Sequence, residues 1–418
     1  MPEKEGEEKE VKLKSGKSFK FPALFVNVRT KKEARLLKET INRYPVNKNH
    51  DGLNQIDGIV VSIKDYYKVS PSLVKKKLKD FGEGHYSIDE RVLIIEPSCH
   101  LPFMGRTPDK RAFCNSVVEW IPEIQSKINR ITIIKSQKNK IDEYIKEIYP
   151  LLDVRVIQHF LEFQIEKHAD ILVCPSVPLS SPRVIEKQIE KMGDMNKQGG
   201  ILRDTLLKKY KEPRDLMNLV ALNPSVLIPQ YSEDIKNALM QGKPDIIGIR
   251  LMNLNEKNVA ETKGFLKFLK SLVGTKIPIF VFNVREFGYV TFCHGASAIS
   301  MPIASSPYTT RTKGGERPPK KGNYYHPIDM IDYSYELFYG KIRANNYRLP
   351  CHCEICDAFE SLLKVKEIWN DFRKIHFLLV KNMETKELRK TEAPIKVALK
   401  DKFGRSEKTG YVTFLDLD

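Results

Sequence analysis

Short runs of apolar, β-branched residues recur along most of the chain and are separated by segments with helical periodicity. The runs lie at 23–28, 58–63, 92–97, 130–135, 169–175, 225–230, 245–251 and 278–284. Between them, apolar side chains return every three or four positions, as in amphipathic helices, at 70–81, 140–152 and 257–273. Strands that alternate with helices build a parallel sheet, and about eight such units predict an α/β fold of the (β/α)₈, or TIM-barrel, type. A doubly wound open sheet is the alternative, although no Gly-rich dinucleotide fingerprint follows any of these strands.

The length of 418 residues accommodates a barrel together with an appended subdomain. Residues 1–18 predict a flexible charged tail, and residues 19–303 are assigned to the barrel. Residues 304–383 predict a basic loop and a metal-binding subdomain with a closing helix. Residues 384–418 form a short C-terminal extension, for which we expect a basic hairpin or strand pair.

Three cysteines are crowded into six residues near the C-terminus. Cys351, Cys353 and Cys356 have C-x-C-x-x-C spacing, and His376 follows in a segment with helical periodicity. Three thiolates and one imidazole fill a tetrahedron, so we predict one structural Zn²⁺ ion with no open position for water. His352 competes as a ligand, but adjacent residues in a Cys-His-Cys turn cannot all point at one metal, and His376 is preferred. An iron–sulfur cluster would need a fourth cysteine, and unliganded buried cysteines are the remaining alternative.

Charge and hydropathy limit the partners of the chain. No stretch approaches the ~18 consecutive apolar residues that span a bilayer, and the amino terminus lacks the apolar core of a secretory signal, so we expect a cytoplasmic protein with no membrane partner. The formal net charge of +17 favours a polyanion such as nucleic acid. In the Gly- and Pro-rich stretch 304–327, Arg311 and Lys313 accompany tyrosines that suit stacking on single-stranded bases. Solvated charged surfaces without a partner are the alternative.

The thiol spacing, followed by a helix with a histidine at the end of an eight-unit barrel, resembles the zinc subdomain of the tRNA-guanine transglycosylase superfamily. Other segments follow the order of that family over roughly residues 20–383. They include KFPALFVNVRT, GIVVSIKDYYKVSP, VLIIEPS, ADILVCPSVP, PDIIGIRL, IPIFVFNVREFGYVTFCHGASAISM and TTRTKGG. The chain looks like a divergent member, with the branch that acts on DNA as one candidate.

The resemblance implies an active site at the carboxyl ends of the barrel strands and a base-exchange reaction on tRNA or DNA. In that reaction an enzyme Asp attacks C1′ of a guanosine, guanine leaves, and a 7-deazaguanine base displaces the enzyme. Eukaryotic members pair a catalytic subunit with a homologous non-catalytic one, so the resemblance also implies a homo- or hetero-dimer. A catalytically inert, nucleic-acid-binding or partner subunit on the same barrel is therefore the alternative function, and an unrelated barrel hydrolase is a third.

Several family positions carry different residues here. The nucleophile position falls on Ser300, whose hydroxyl is a weaker nucleophile than a carboxylate, and Asp245, Asp329 or Asp332 would replace it if the alignment is shifted. The general acid/base position falls on Glu96, for which an ion-paired structural acid is the alternative. The remaining candidates for substrate binding are Ser98, His100, Ser176, Gly248, Arg311 and Lys313.

Overall fold

The computed structural model describes residues 10–29, 32–37, 56–63, 91–97, 146, 149–252, 254, 256, 258–303, 323–391 and 393–417. The predicted segments 70–81 and 130–135, most of 140–148 and the basic stretch 304–322 lie outside these residues. The candidates Ser98, His100, Arg311 and Lys313 lie outside them as well.

Thirteen strands occur in the described part of the chain. They are β1 (Glu10–Lys12), β2 (Ser18–Lys20), β3 (Ala23–Val28), β4 (Ile56–Ser62), β5 (Val92–Glu96), β6 (Ile171–Cys174), β7 (Pro178–Leu179), β8 (Asp215–Leu222), β9 (Ile246–Leu251), β10 (Ile279–Phe282), β11 (Ala298–Pro302), β12 (Asn323–His326) and β13 (Ile331–Ser334). Eight of them, β3 to β6 and β8 to β11, are parallel neighbours, and the pairing of β6 with β8 closes the circle. The predicted TIM-type α/β barrel is therefore confirmed.

Helices surround the barrel and follow its last strand. They are α1 (Val154–Glu166), α2 (Ile185–Tyr210), α3 (Pro229–Met240), α4 (Val259–Val273), α5 (Phe287–Phe292), α6 (Tyr335–Ile342), α7 (Glu354–Phe359), α8 (Leu362–Val365), α9 (Trp369–Lys390), α10 (Ile395–Gly404) and α11 (Val412–Leu415). Several begin at a side-chain cap that satisfies a free backbone N–H: Asp153 caps α1, Asn258 caps α4 and Ser334 caps α6. No described helix combines the length and the apolar character needed to cross a membrane.

Successive side chains along each barrel strand point alternately into the barrel and towards the surrounding helices, which gives the protein an inner and an outer core. Side chains on the inner face, such as Phe25, Val60, Ile94, Met217 and Phe280, fill the barrel. The outer face packs against the helices. The barrel is thus a packed core and not a pore, and its two ends are the places where polar chemistry is found.

The amino end of the barrel is closed by the antiparallel pair β1–β2. Residues 10–18 are predicted from sequence to belong to a flexible tail, and this is wrong for them, because the turn residue Leu13 and Phe19 of β2 are buried in the inner core. Phe19 meets Phe25 edge-on, with 5.6 Å between ring centroids. The hairpin therefore acts as a plug that removes apolar surface from water.

One predicted strand is not observed, and two observed barrel strands were not predicted. Residues 225–230 form a 3-10 turn, Pro224–Val226, and the start of α3, because Pro224 and Pro229 fix φ and suit the first positions of helices. The fifth barrel strand is instead β8, which is buried along its whole length. The eighth is β11, which was not among the predicted runs.

The C-terminal extension is helical, so the predicted hairpin or strand pair is wrong. Helix α9 continues past residue 383 to Lys390, and α10 and α11 follow it. Apolar residues on these short helices, including Leu399, Phe403 and Phe414, join the outer core of the barrel. Burial of that surface stabilises the extension against α5.

Candidate functional site

A buried ion pair crosses the barrel interior near the carboxyl ends of its strands. Glu96 is the last residue of β5, and Arg250 lies near the end of β9, three strands away around the barrel. Arg250 Nη2 donates a short hydrogen bond to Glu96 Oε2. The exposed fractions are only 2% for Glu96 and 4% for Arg250. The two side chains are therefore buried inside the barrel near this end.

Further buried and half-buried polar groups lie at the same end of the barrel. Together with Glu96 and Arg250, we call Arg29, Asn27, Asn283 and Ser300 the carboxyl-end layer. Arg29 Nη2 donates to Asn283 Oδ1 at 2.7 Å, and Asn27 Nδ2 donates to the same oxygen at 3.3 Å. Ser300 accepts a hydrogen bond from the backbone N–H of Asn283 at 2.9 Å. Asn283 is fully buried and has a positive φ of 59°, a conformation that Asn tolerates better than most residues. These bonds hold the segment after β10 against the ends of β3 and β11.

Two of the predicted substrate-binding residues, Ser176 and Gly248, lie among the described residues. Ser176 follows β6, is buried, and its hydroxyl donates to Val177 O at 3.2 Å. Gly248 lies two residues below Arg250 on the inner face of β9. A Cβ on Gly248 would come within 2.7 Å of Met217 Sδ, so the glycine makes room for inner-core packing.

The carboxylates proposed as replacements for a missing nucleophile are engaged in ion pairs. Asp332 on β13 binds Arg285, with Arg285 Nη2 donating to Asp332 Oδ1 at 3.0 Å. Asp329 accepts from Tyr333 Oη at 2.6 Å and from Lys341 Nζ at 3.0 Å. Although partial burial opposes it, these hydrogen bonds lower the pKa of Asp329. Asp245 pairs with Arg203 at 3.0 Å and with Lys14 at the amino end of the barrel, away from the opening.

The four predicted metal ligands are brought together in a second site, here called the thiol–imidazole cluster. The ligand atoms of Cys351, Cys353, Cys356 and His376 all lie within 4.8 Å of one another and are buried. His376 Nδ1 is 3.3 Å from Cys353 Sγ and 3.2 Å from Cys356 Sγ. Around a tetrahedral zinc ion these separations would be about 3.5 Å, given metal–ligand bonds of roughly 2.0–2.3 Å. The cluster can therefore hold one metal ion.

Local structure explains why these side chains converge. Cys353 precedes α7, and its carbonyl accepts the N–H of Cys356 at 2.8 Å, which turns both thiols to one side. His376 Nε2 donates to the Tyr325 carbonyl at 2.7 Å, and this bond leaves Nδ1 facing the sulfurs. The side chain of His352 is 92% exposed and pairs with Asp357 instead. Of the two histidines, only His376 takes part in the cluster.

Aromatic packing and charge complete the cluster. Tyr324 stacks on the His376 ring at 4.3 Å between centroids, and its hydroxyl lies 3.8 Å from Cys356 Sγ. Burial disfavours the charged imidazole, yet the thiolate charge of Cys353 and the hydrogen bond to Cys351 raise the pKa of His376 to about 10. A metal ion would have to displace this proton, because histidine binds a metal only as the neutral imidazole and cysteine only as the thiolate.

Buried charges connect the cluster to the barrel. On α9, Lys381 Nζ lies 2.9 Å from Glu286 Oε1, just after β10, and 2.9 Å from Glu384 Oε2. Tyr289 and Tyr325 both donate hydroxyl hydrogen bonds to Glu384, at 2.7 and 3.1 Å. Burial raises the pKa of Glu286, but Lys381 and Arg285 outweigh it and lower that pKa to about 2. The backbone of Tyr325 thus binds the ligand histidine while its hydroxyl belongs to this network.

Sequence reasoning missed Arg250, Arg29, Asn27 and Asn283 as site residues. A visible signal was present at Arg250, because an arginine inside the apolar run DIIGIRL must find a buried partner or reach a ligand. Asn27 interrupts the apolar run ALFVNV in the same way. No local signal marks Arg29 or Asn283, which follow their strands as loop residues do.

The fold and these sites define the class of protein: an α/β barrel with a buried ion pair near its carboxyl end and, joined to it by α9, a Cys₃His cluster that could hold a metal ion. Comparison with known proteins does not narrow this structural class to a family, since no protein-family model and no curated protein matches the chain.

Proposed function

We propose that the chain is a transglycosylase-like protein that exchanges guanine for a 7-deazaguanine base in tRNA or DNA at the carboxyl end of its barrel. The observation that carries the proposal is the buried pairing of Glu96 with Arg250 near the carboxyl end of the barrel. A carboxylate accepts hydrogen bonds from the N–H groups of a guanine ring, and a guanidinium donates to its acceptor edge. A buried pair of this kind suits a flipped-out purine-type base.

The order of elements supports the same proposal. The thiol–imidazole cluster follows the eighth barrel strand, as in the zinc subdomain that the sequence resembles. Zn²⁺ is the ion we propose for it, because three thiolates and one imidazole form a closed tetrahedral set that suits zinc. Cys351, Cys353, Cys356 and His376 would hold it, and its part would be structural, since it would leave no position for substrate.

In this proposal the residues of the opening divide the work. Glu96 holds or moves the ring proton, and Arg250 orients the base by donating to it. Ser300 positions Asn283 through the hydrogen bond to its backbone N–H. The net charge of +17 supports binding of the nucleic acid around the opening.

The alternative is a catalytically inert, base-binding partner subunit, and one set of contacts favours it. Ser300 is fully buried, and Asp329 and Asp332 are tied to Lys341 and Arg285. Within the described residues, none of these three side chains is free to act as the nucleophile of a base exchange. A partner subunit would supply that group.

Incorporation of labelled base separates the two functions. The purified chain is incubated with labelled guanine or 7-deazaguanine and with bulk tRNA or DNA, and label in the polymer is counted. The enzyme incorporates label, and Glu96→Gln reduces incorporation by at least about 100-fold, the scale of general acid–base catalysis. Binding of the polymer without incorporation supports the partner subunit.

Two controls sharpen that measurement. Glu212→Gln, which removes an ion-paired carboxylate at the amino end, should leave incorporation unchanged. Asp329→Asn and Asp332→Asn test the replacement nucleophiles: loss of incorporation in one of them identifies that carboxylate as the nucleophile and leaves the acid/base role with Glu96. Absence of both incorporation and polymer binding would contradict the proposal and its alternative together.

A further inference from the structure

Helix α4 carries three lysines on its outer face, here called the lysine row. Lys263, Lys267 and Lys270 are all exposed. Their spacing of four and then three residues places them within about 60° of one another around the helix axis. On the opposite side of the helix, Phe265 and Leu269 pack into the outer core of the barrel. The three ammonium groups therefore lie together on the side of the barrel.

Acidic side chains do not balance the charge of the lysine row. Within the part of the chain that the structure describes, none of its three side chains forms an ion pair or a hydrogen bond. Glu261 is the one acid of α4, and it is turned by at least about 120° from each lysine around the axis. Lysines of other outer helices are paired instead, Lys209 with Glu162 and Lys236 with Glu233, both at 3.1 Å.

The C-terminal extension adds positive charge beside the row. Helix α10 packs against α5, the helix that follows α4, and its Lys396 and Lys400 share the single carboxylate of Asp416 at 2.8 and 2.7 Å. Burial lowers the pKa of His294, and the charges of Lys270 and Lys396 lower it further. These two lysines therefore lie on the same side of the barrel, and the extension does not cancel the charge of α4.

The lysine row runs along the barrel from its carboxyl end. Helix α4 connects β9 to β10, which are parallel neighbours, so the helix leads from the carboxyl end to the amino end. Lys263 lies nearer the carboxyl end, and Lys270 follows about 10 Å further along, at 1.5 Å per residue. A polymer bound along α4 would thus reach the end of the barrel at which Glu96 and Arg250 lie.

We infer that the lysine row binds the phosphodiester backbone of a nucleic acid and leads it to the carboxyl end of the barrel. The inference rests on the proposed function and adds the surface that holds the polymer. Unpaired surface cations bind a polyphosphate chain strongly, because each phosphate they neutralise releases condensed counterions. A lysine meets a phosphate as a point charge and does not read base edges, so the row carries no sequence preference.

The salt dependence of binding tests the inference. Fluorescence anisotropy of labelled bulk tRNA, and of duplex DNA in a parallel series, is titrated with the full-length protein from about 50 to 200 mM salt. The triple variant Lys263→Gln, Lys267→Gln, Lys270→Gln should weaken binding on the order of 100-fold near 0.1 M salt. It should also reduce the slope of log K against log salt by about 2 to 3, close to one per phosphate contact. Glutamine has the helix propensity of lysine, so the fold should be retained, which circular dichroism checks.

Two further triple variants are controls. Lys187→Gln, Lys208→Gln, Lys211→Gln removes the same charge from exposed positions on and just after α2, and it should keep the parental slope. Replacement of the lysine row by three arginines conserves the charge and should retain binding. The polymer whose binding depends on the row, tRNA or DNA, is thereby identified as its ligand. An unchanged slope in the α4 variant, an equal loss in the α2 variant, or no binding of either polymer to the parent would overturn the inference.

Incorporation of labelled base, measured on the same proteins, separates this inference from the proposed function. Loss of polymer binding in the α4 variant of a chain that incorporates no base supports the lysine row and refutes base exchange. Incorporation by the parent, with an unchanged salt slope in the α4 variant, leaves base exchange intact and removes the lysine row as the binding surface.

Discussion

The two ends of the barrel bury charge in opposite ways. At the amino end, Lys17 Nζ pairs with Asp170 at 2.8 Å, and the same carboxylate accepts the Leu93 N–H at 2.7 Å. Asp57 likewise accepts the Leu24 N–H at 2.8 Å and pairs with Arg389 at 2.6 Å. At the carboxyl end, the pair of Glu96 and Arg250 leaves Arg250 Nε without a partner among the described residues.

This difference between the two ends suggests that the buried charges at the amino end stabilise the fold, whereas those at the carboxyl end serve ligand binding. A carboxylate that binds both a cation and a strand N–H fastens a loop to the barrel, and the plug formed by β1 and β2 seals that end. A buried charge with unused donors costs free energy and persists where a ligand completes it. Substitutions at the amino end should therefore change stability alone, whereas substitutions at the carboxyl end should change ligand binding.

The largest effect is expected at the thiol–imidazole cluster, which fastens β12 and α9 beside the carboxyl end. Cys353→Ser should abolish stoichiometric metal binding. It should also lower the free energy of unfolding by several kcal/mol, because structural zinc contributes about 10–16 kcal/mol in small domains. Metal content by mass spectrometry and hydrogen exchange of 323–390 would measure it. Exchange should rise in this segment and stay low in β1 and β2.

Cys293→Ser is the control for that substitution. Cys293 is a half-buried free cysteine outside the cluster, so metal content and exchange should remain those of the parent. Full retention of metal by Cys353→Ser would remove this residue from the ligand set.

The next largest effect tests the ion pair itself. Glu96→Gln leaves Arg250 as a buried charge and should lower the free energy of unfolding by about 3–5 kcal/mol. Replacing both residues by Met should be neutral or stabilising by about 1–4 kcal/mol, while base binding is lost. Chemical denaturation together with calorimetry checks both variants. If the double variant has a free energy of unfolding as low as that of Glu96→Gln, the ion pair stabilises the fold and is not kept for ligand binding.

At the amino end, Leu13→Ala should lower the free energy of unfolding by about 2–3 kcal/mol, the lower part of the range for a buried leucine, because the hairpin can relax into the space. Base binding should not change. Lys12→Ala, an exposed neighbour on β1, is the control and should alter stability by less than about 0.5 kcal/mol. A loss of base binding in Leu13→Ala would break the separation between the two ends.

Local patterns made most of the barrel strands and the candidate metal ligands predictable. The apolar, β-branched composition of runs such as ALFVNV and VLIIE predicts buried strands. The spacing of the cysteines predicts that three candidate ligands lie together within one turn. Strand β11, AISMP, was not predicted from the sequence, because its inward-facing residues are the small Ala298 and Ser300 and not large apolar ones. Its role is set by the neighbours β10 and β3, not by its own hydrophobicity.

The carboxyl-end layer was only partly predictable, because its contacts join distant parts of the chain. Glu96 and Arg250 are 154 residues apart, and Asn27 and Asn283 are 256 apart. Which side chains meet depends on strand order, on the inward phase of each strand and on barrel closure. A single sequence shows the unusual Arg250 in an apolar strand, but it does not name the partner.

The smallest effect concerns a histidine at the amino end. His294 precedes β11 and is buried, and its Nε2 donates to the Phe414 carbonyl of the C-terminal extension at 2.7 Å. Burial, with help from Lys270 and Lys396, lowers the pKa of His294 below its ordinary value near 6.5. The unfolded chain then binds the proton more tightly, so the stabilising contribution is complete above pH 6.5 and is lost as the pH falls below it.

For one proton the loss is at most about 1.4 kcal/mol per pH unit. Denaturation between pH 7.5 and 5.5 should show His294→Gln to be less sensitive to acid than the parent, since the glutamine amide can still donate to Phe414 without titrating. His159→Gln, an exposed histidine on α1, should retain the parental slope. Because partial burial also lowers the pKa of His326, the difference between parent and variant, not the slope itself, isolates His294. Identical slopes for the parent and His294→Gln would mean that the C-terminal extension is held at the amino end by packing alone.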